Sequence, residues 1–357
     1  MGSHLVSSRP YTYPRAVGAK STSSKIEHEP WFKHLVKKAA RRFKSNPLLF
    51  TAMVRSFRVL QRLGINVTPN HFYWPVPDIR ELANRDWAIY PMPPGCNLRL
   101  SEQIRLARLF AERYVPELEW SNEPAAHSYH YQNGYFESCD AEVAYAMVRH
   151  WKPQRIIEIG SGYSSRIIGQ ALHANRTRDG VLGELTTIDP HPERLPRNDG
   201  WPSVTVVPRR VQDLDLGLFR SLGANDILFI DSSHVVSIGS DVVCEYLQIL
   251  PQLNPGVVVH VHDVFLPSDY PRPAVLDKLC FWSEQYLLQA FLAYNREFEV
   301  LWSASAMEFS HSDVLELCFP NWRNSYIHMP PSTRQFIPSR DGKRVWPASF
   351  WMRRSPH

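Results

Sequence analysis

Paired cysteines are missing from this sequence. The five cysteines (Cys96, Cys139, Cys244, Cys280 and Cys318) form no CxxC spacing, so neither a disulfide framework nor a zinc ribbon is indicated. No apolar run reaches the roughly 18–20 residues that a membrane span needs. The first residues also lack the apolar core of a signal peptide, so a reducing, cytoplasmic setting is expected. Acids are scarce at the start: residues 1–62 hold 13 Lys and Arg against Glu27 and Glu29. The remaining residues hold 27 basic against 33 acidic side chains, so a basic arm precedes a mildly acidic body. Extensive disorder is excluded by a hydrophobic fraction of 44% with 12% aromatics over 357 residues. That length suits one large domain with an appendage, or two domains.

The 29 prolines gather in stretches such as 67–77 and 90–94, which implies extended segments over a folded body. Residues 1–30, including Met1–His4 as a vector remnant, read as a mobile tail. From 31 to 63 the pattern is helical, with Leu35, Ala39, Phe43, Leu48, Phe50, Met53, Phe57 and Leu60 on the apolar face. Asn46-Pro47 divides it into two helices. Its basic face reads as solvated, with a membrane-surface or nucleic-acid contact as the alternative. Residues 31–139 then form an N-terminal helical and extended region. Within it, the proline-broken segment carrying Asn70, His71, Phe72, Tyr73 and Trp74 is either packing or a lid. The stretch from His127 through Tyr129 to Ser138, dense in aromatic and polar side chains, is the other lid candidate.

Helices are expected over 101–115 and 140–150, the second capped by Asp140. After Gln154 apolar β-branched runs alternate with helical stretches. Strands are expected at 155–160, 184–189, 203–208, 226–231 and 256–262, and helices at 164–175, 214–222, 240–251 and 277–295. Two closing strands at 298–302 and 348–352 lack an ordinary crossover helix and suggest an antiparallel edge. The fold class is α/β, a doubly wound, seven-stranded and mostly parallel sheet over residues 140–357.

A third glycine is absent from Gly160-Ser161-Gly162-Tyr163-Ser164-Ser165, and no Gly-Lys-Ser/Thr occurs there. Dinucleotide and P-loop readings are therefore weak. The two glycines instead let a ligand meet bare backbone, and Ser164 can cap a helix whose N-terminus attracts a carboxylate. Glu158 sits in an apolar strand and needs a donor or cation. Asp189 ends the next strand, where a carboxylate can take both ribose hydroxyls, and Asp213 follows the third, where an adenine edge would be read. A nucleoside carrying an amino acid satisfies this set: S-adenosylmethionine.

The chain resembles class I S-adenosylmethionine-dependent methyltransferases. Four stretches carry the likeness: Glu158-Ile-Gly-Ser-Gly-Tyr-Ser-Ser165, Thr187-Ile-Asp-Pro190, Phe229-Ile-Asp-Ser-Ser-His234 and Leu253-Asn-Pro-Gly-Val-Val-Val-His-Val-His-Asp-Val-Phe265. The last two, with Asp241, are similar to the small-molecule O-methyltransferase branch that includes rhamnosyl O-methyltransferases and cephalosporin-hydroxylase-like proteins. The resemblance implies a Rossmann-like sheet, S-adenosylmethionine as cofactor, Asp231 beside it, and methyl transfer to a hydroxyl, less often an amine, of a small metabolite. It also implies that residues at the tips of the fourth and fifth strands (Asp231, His262 and Asp263) can hold a divalent metal. His262 stands where an acid is usual, a set that suits Mn²⁺ or Fe²⁺ better than Mg²⁺. The metal-free alternative makes His234 or His262 the general base, with Asp231 as partner. Strand alternation puts Val259, Val261 and Asp263 on one face and His260 and His262 on the other, which makes His260 structural.

The sulfonium activates three carbons, so aminocarboxypropyl transfer or cyclisation releasing methylthioadenosine is a second expectation. A non-catalytic S-adenosylmethionine-binding protein is a third. No nucleic-acid partner is expected from an acidic body lacking the NPPY-type tetrad, and the Trp- and Phe-rich segments leave room for a homo-oligomer.

Overall fold

Short aliphatic and β-branched runs build the centre of this molecule, because strands covered on both faces by helices bury every side chain. The computed structural model describes residues 47–68, 70, 73–87, 93–124, 128–192, 195, 204–334 and 337–356. The expected tail, the first of the two basic helices, His71 and His127 lie outside the described residues. The chain divides into two units between Val76 and Pro77.

In the first unit, helix α1 (Pro47–Arg62) starts on the proline, whose missing N–H is no loss at that position. Its Met53, Val54, Phe57 and Leu60 are half-buried, while Arg55, Arg58 and Arg62 are exposed. Asn70 and Tyr73 also belong to this unit and are exposed.

In the second unit the strands are β1 (Arg155–Ile159), β2 (Glu184–Ile188), β3 (Val204–Val207), β4 (Ile227–Ile230), β5 (Val258–Val261), β6 (Phe298–Ser303) and β7 (Phe350–Arg354). They form one seven-stranded sheet in the order β3-β2-β1-β4-β5-β7-β6. The neighbours β1, β2, β3, β4 and β5 pair in parallel, while β7 runs antiparallel to both β5 and β6. This is the seven-stranded, mostly parallel α/β sheet expected from the sequence. The two closing strands form the antiparallel edge that the sequence suggested, with β7 inserted between β5 and β6.

The principal helices of this unit are α2 (Leu100–Arg113), α3 (Asp140–Trp151), α4 (Tyr163–Asp179), α5 (Glu284–Leu292) and α6 (Ala304–Cys318). Strand alternation sorts the core. Ile156, Phe229, Val258 and Trp351 face one layer with Met147 and Ile168. Ile157, Leu228, Val259 and Met352 face the other with Leu250 and Leu288.

Several helices depart from expectation for local reasons. The helix expected over 277–295 is only α5, because Leu279 takes a left-handed φ of 60° and breaks the preceding segment. The 240–251 stretch begins with Ser240 accepting from the Val243 N–H, then widens into a π turn over Glu245–Ile249. Helix α6 was not anticipated; it follows β6 directly, with no turn residue between them. Asp140 is the first residue of α3, not its cap. Its carboxylate accepts from the Ala348 N–H (2.8 Å) and the Ser349 N–H (3.0 Å) and so holds the approach to β7. All five cysteines are free, and Cys280 alone is not buried. Among the described residues, no helix is long and apolar enough to cross a membrane.

Candidate active site

Parallel strands leave their C-terminal ends open where neighbouring connections diverge to opposite faces, and β1 and β4 part at such a point. A cavity of about 500 Å³ lies there. Its floor is the turn from β1 into α4. Gly160 has φ +93°, and a Cβ on it would lie 2.2 Å from the Asp231 carbonyl oxygen, so only glycine lets the β1 and β4 tips approach this closely. Gly162 lines the cavity, and a Cβ there would meet nothing within 4 Å.

Glu158 is fully buried and takes both its donors from α4: the Ser164 hydroxyl at 2.7 Å and the Ser165 hydroxyl at 2.6 Å. Burial pushes its carboxyl up to about 8 in spite of these bonds. Ser164 therefore does not cap α4. Gly162 occupies the cap position, and Ser164 turns down to Glu158 because an unpartnered buried carboxyl costs more than an unfilled cap. Ser161 donates to Asp189 Oδ2 at 2.6 Å, and the His191 N–H donates to Oδ1 at 2.7 Å, which fixes the Asp189 carboxylate on the cavity wall.

Two candidates stand elsewhere than expected. Asp213 closes a short turn (Val211–Asp213), and its carboxylate leaves the cavity to form a two-point pair with Arg210 at 2.8 and 2.9 Å. The neighbouring Gln212 lines the cavity instead. Tyr129 is buried, packs against Trp120 with ring centres 4.4 Å apart, and donates to the Phe136 carbonyl, so it is a core residue. From the same stretch, Tyr135 and Phe136 line the cavity. Tyr135 stacks on Tyr163 at 5.9 Å. No sequence signal separates these aromatics, since their facing depends on a loop without periodicity.

Opposite the turn, four titratable groups converge. Asp231 follows β4, and His262 and Asp263 follow β5, whose pairing with β4 continues as the His262 N–H donates to the Ile230 carbonyl. Asp263 has a left-handed φ of 55°, which breaks the alternation expected of the strand. Its carboxylate thereby comes within 3.9 Å of His262 Nδ1, with Asp231 Oδ1 at 3.7 Å from the same atom. Phe136 stacks on the His262 ring at 4.6 Å, and Asp140 Oδ2 lies 3.8 Å from Nε2. Burial opposes a charge on His262, but Asp231 and Asp263 outweigh it and lift the ring to about 9. Burial likewise opposes ionisation of Asp231, yet His262 and His234 hold it down at about 2.

His234 Nδ1 lies 2.8 Å from Glu284, and Nε2 faces Asp231 at 3.5 Å and Asp263 at 3.4 Å. Three carboxylates thus outweigh its burial and raise it well above the ordinary histidine range. His260 stands apart: it is stacked on Phe229 at 3.8 Å, lies 3.1 Å from the Ser349 hydroxyl, and is held well below that range by burial.

Among the described residues, Asp231, His262 and Asp263 bring one ligand atom each within 4.8 Å of one another. The contacts to His262 Nδ1 are too long for hydrogen bonds. They are close to the spacing of donors that each sit about 2.1 Å from a shared ion. Two carboxylates and an imidazole suit Mn²⁺ or Fe²⁺, so the residues fit such a metal.

Residues 157–264 match a family described as a methyltransferase domain. An uncharacterised protein of Archaeoglobus fulgidus is 30% identical over 185 residues, covering 49% of this chain and 82% of its own. Among solved structures, the methyltransferase PaMTH1 of Podospora anserina with S-adenosylhomocysteine aligns over 82% of this chain and 99% of its own, at 13% identity and TM-score 0.36. An O-methyltransferase from Bacillus cereus, also with S-adenosylhomocysteine, aligns over 56% and 82%, at 15% identity and TM-score 0.31.

Proposed function

We propose that this chain, which belongs to one family with the Archaeoglobus fulgidus protein and carries a methyltransferase domain on the class I fold, methylates a hydroxyl of a small metabolite, an amine being the second choice of acceptor. One observation carries the reading: the Gly160–Gly162 turn and Asp189 share a cavity wall opposite Asp231, His234, His262 and Asp263. Cofactor and acceptor chemistry therefore meet in one space. The O-methyltransferase branch rests on the two strand-tip motifs that supply those four residues.

In this reading the backbone at Gly160, Ser161 and Gly162 cradles the methionyl part, and Asp189 takes the ribose hydroxyls. Gln212, on the wall beside them, replaces Asp213 as the residue nearest the adenine edge. S-adenosylmethionine supplies a methyl carbon made electrophilic by its sulfonium. The acceptor oxygen forms a bond to that carbon as the carbon–sulfur bond breaks, with its electron pair passing to sulfur. His234 takes the hydroxyl proton on Nε2 while Nδ1–H remains with Glu284; because the surrounding carboxylates hold the resting ring protonated, Nε2 must first give up its proton to solvent, and turnover should rise with pH. Asp231, His262 and Asp263 would hold a divalent metal, which when bound lowers the pKa of an acceptor hydroxyl and orients it.

Mass spectrometry of the protein with S-adenosylmethionine and a panel of hydroxylated metabolites, with and without a chelator, tests the proposal. S-adenosylhomocysteine formed only with an acceptor is the expected result, and chelator sensitivity is expected if the metal takes part. Methylthioadenosine as product would replace methyl transfer by the aminocarboxypropyl chemistry. Tight binding without turnover across the panel would favour a non-catalytic binding protein.

A further inference from the structure

His234 is a non-glycine residue held at φ 62°, a left-handed conformation that costs a bulky side chain free energy unless its surroundings impose it. The surroundings come from one short segment, Trp282 to Gln285, at the start of α5. The Ser283 and Glu284 N–H groups both donate to the His234 carbonyl, at 2.9 and 3.1 Å. The Ser283 hydroxyl accepts from the Val236 N–H at 2.8 Å. Trp282 lies against the imidazole ring with centres 5.0 Å apart. Glu284, only 1% exposed, meets Nδ1 at 2.8 Å, and its other oxygen has no hydrogen-bond partner among the described residues. The next residue, Gln285, accepts from the Phe265 N–H at 2.9 Å and donates to the Ser268 carbonyl, so the same helical turn is fastened to the chain just beyond Asp263.

We propose that Glu284 is a positioning residue: with Trp282 and Ser283 it forms a clamp that fixes the His234 ring, proton on Nδ1, so that Nε2 faces Asp231 and Asp263 in the cavity. The value of this arrangement rests on the reading of His234 as the base, but the clamp itself does not. A carboxylate on Nδ1 leaves one ring nitrogen for the reaction and prevents the ring flip that would exchange the two. The bracing through Gln285 keeps that nitrogen in register with Asp263, which lies on a different connection. A glutamate with no cavity-facing role of its own is thereby accounted for.

Long-range proton–nitrogen NMR of the full chain labelled with ¹⁵N-histidine, with S-adenosylhomocysteine present, reads the clamp directly. His234→Asn identifies the signal. In the unaltered protein the Nδ1 proton is expected to exchange with solvent at least about ten-fold more slowly than a ring proton of exposed His173. Glu284→Leu should remove that protection, and Glu284→Gln, which keeps an acceptor oxygen, should restore most of it. An Nδ1 proton that exchanges as fast as that of His173 in the unaltered protein overturns the clamp. So does a folded Glu284→Leu variant with protection intact. His234→Asn with full acceptor-dependent turnover, beside a protected Nδ1 proton in the unaltered protein, would instead overturn the base reading and leave the clamp standing.

Discussion

Replacing each of the two glycines of the β1–α4 turn by alanine should separate a folding requirement from a binding requirement. At Gly160 the new methyl would sit 2.2 Å from the Asp231 carbonyl oxygen, on a backbone with φ +93°. The left-handed conformation costs alanine about 1–3 kcal/mol, and pushing the β4 tip away costs about 1–3 kcal/mol more. A destabilisation of roughly 2–6 kcal/mol corresponds to a Tm fall of roughly 5–15 °C in a domain this large. Because the displaced carbonyl belongs to Asp231, Mn²⁺ binding should weaken in the same variant. At Gly162 the methyl meets nothing within 4 Å, and stability should change by no more than about 1 kcal/mol. The open space beside Gly162 is where the cofactor backbone is placed, so a methyl there should oppose about 1–3 kcal/mol of binding, or roughly five- to 150-fold in Kd. Thermal melts and equilibrium dialysis with labelled S-adenosylmethionine measure the two effects. A Gly162→Ala protein that binds the cofactor as the unaltered protein does would refute the cradle, and an unchanged Tm for Gly160→Ala would refute the close β1–β4 approach.

Three further outcomes follow from named contacts. Burial lifts Glu158 to about 8 from an ordinary 4.5, so the folded protein keeps a proton that the unfolded chain loses as pH rises through this window. Stability of the ligand-free protein should therefore fall between about pH 4.5 and 8 by up to about 1.4 kcal/mol per unit, and Glu158→Gln should flatten that slope in melts taken against pH. Asp140→Ala leaves the buried Ala348 and Ser349 N–H groups without their acceptor, which should cost about 2–5 kcal/mol in urea unfolding. Asp213→Asn, altering a carboxylate already turned to Arg210, should change cofactor Kd by no more than about two-fold; a ten-fold loss in dialysis would restore Asp213 to the adenine site.

Much of the sheet was legible because its signals are local. Strands such as Ile156–Ile159 and Ile227–Ile230 are short apolar runs interrupted only by Glu158, and the helices between them dictate parallel pairing. The insertion of β7 inside β6 was not legible, since pairing between distant antiparallel strands leaves no mark in either one. In the site, Asp189, Asp231 and His262 stand at the ends of apolar runs that mark the strands, and the structure brings all three to the cavity wall. Residues fixed by turns were legible only in part. Asp213 and Gln212 differ by one position in a short turn, and Asp263 leaves its strand face through a single left-handed φ. Glu284 could not be connected to His234 at all from sequence, because 50 residues and a full crossover separate them.

Isothermal titration of the full chain with S-adenosylhomocysteine, repeated on Asp189→Ala, tests the central claim most directly. One molecule bound per chain, with affinity falling at least about ten-fold when the ribose carboxylate is removed, is the predicted result. Absence of binding at millimolar ligand, or binding indifferent to Asp189, would contradict the placement of the cofactor on this turn and with it the methyltransferase reading of the site.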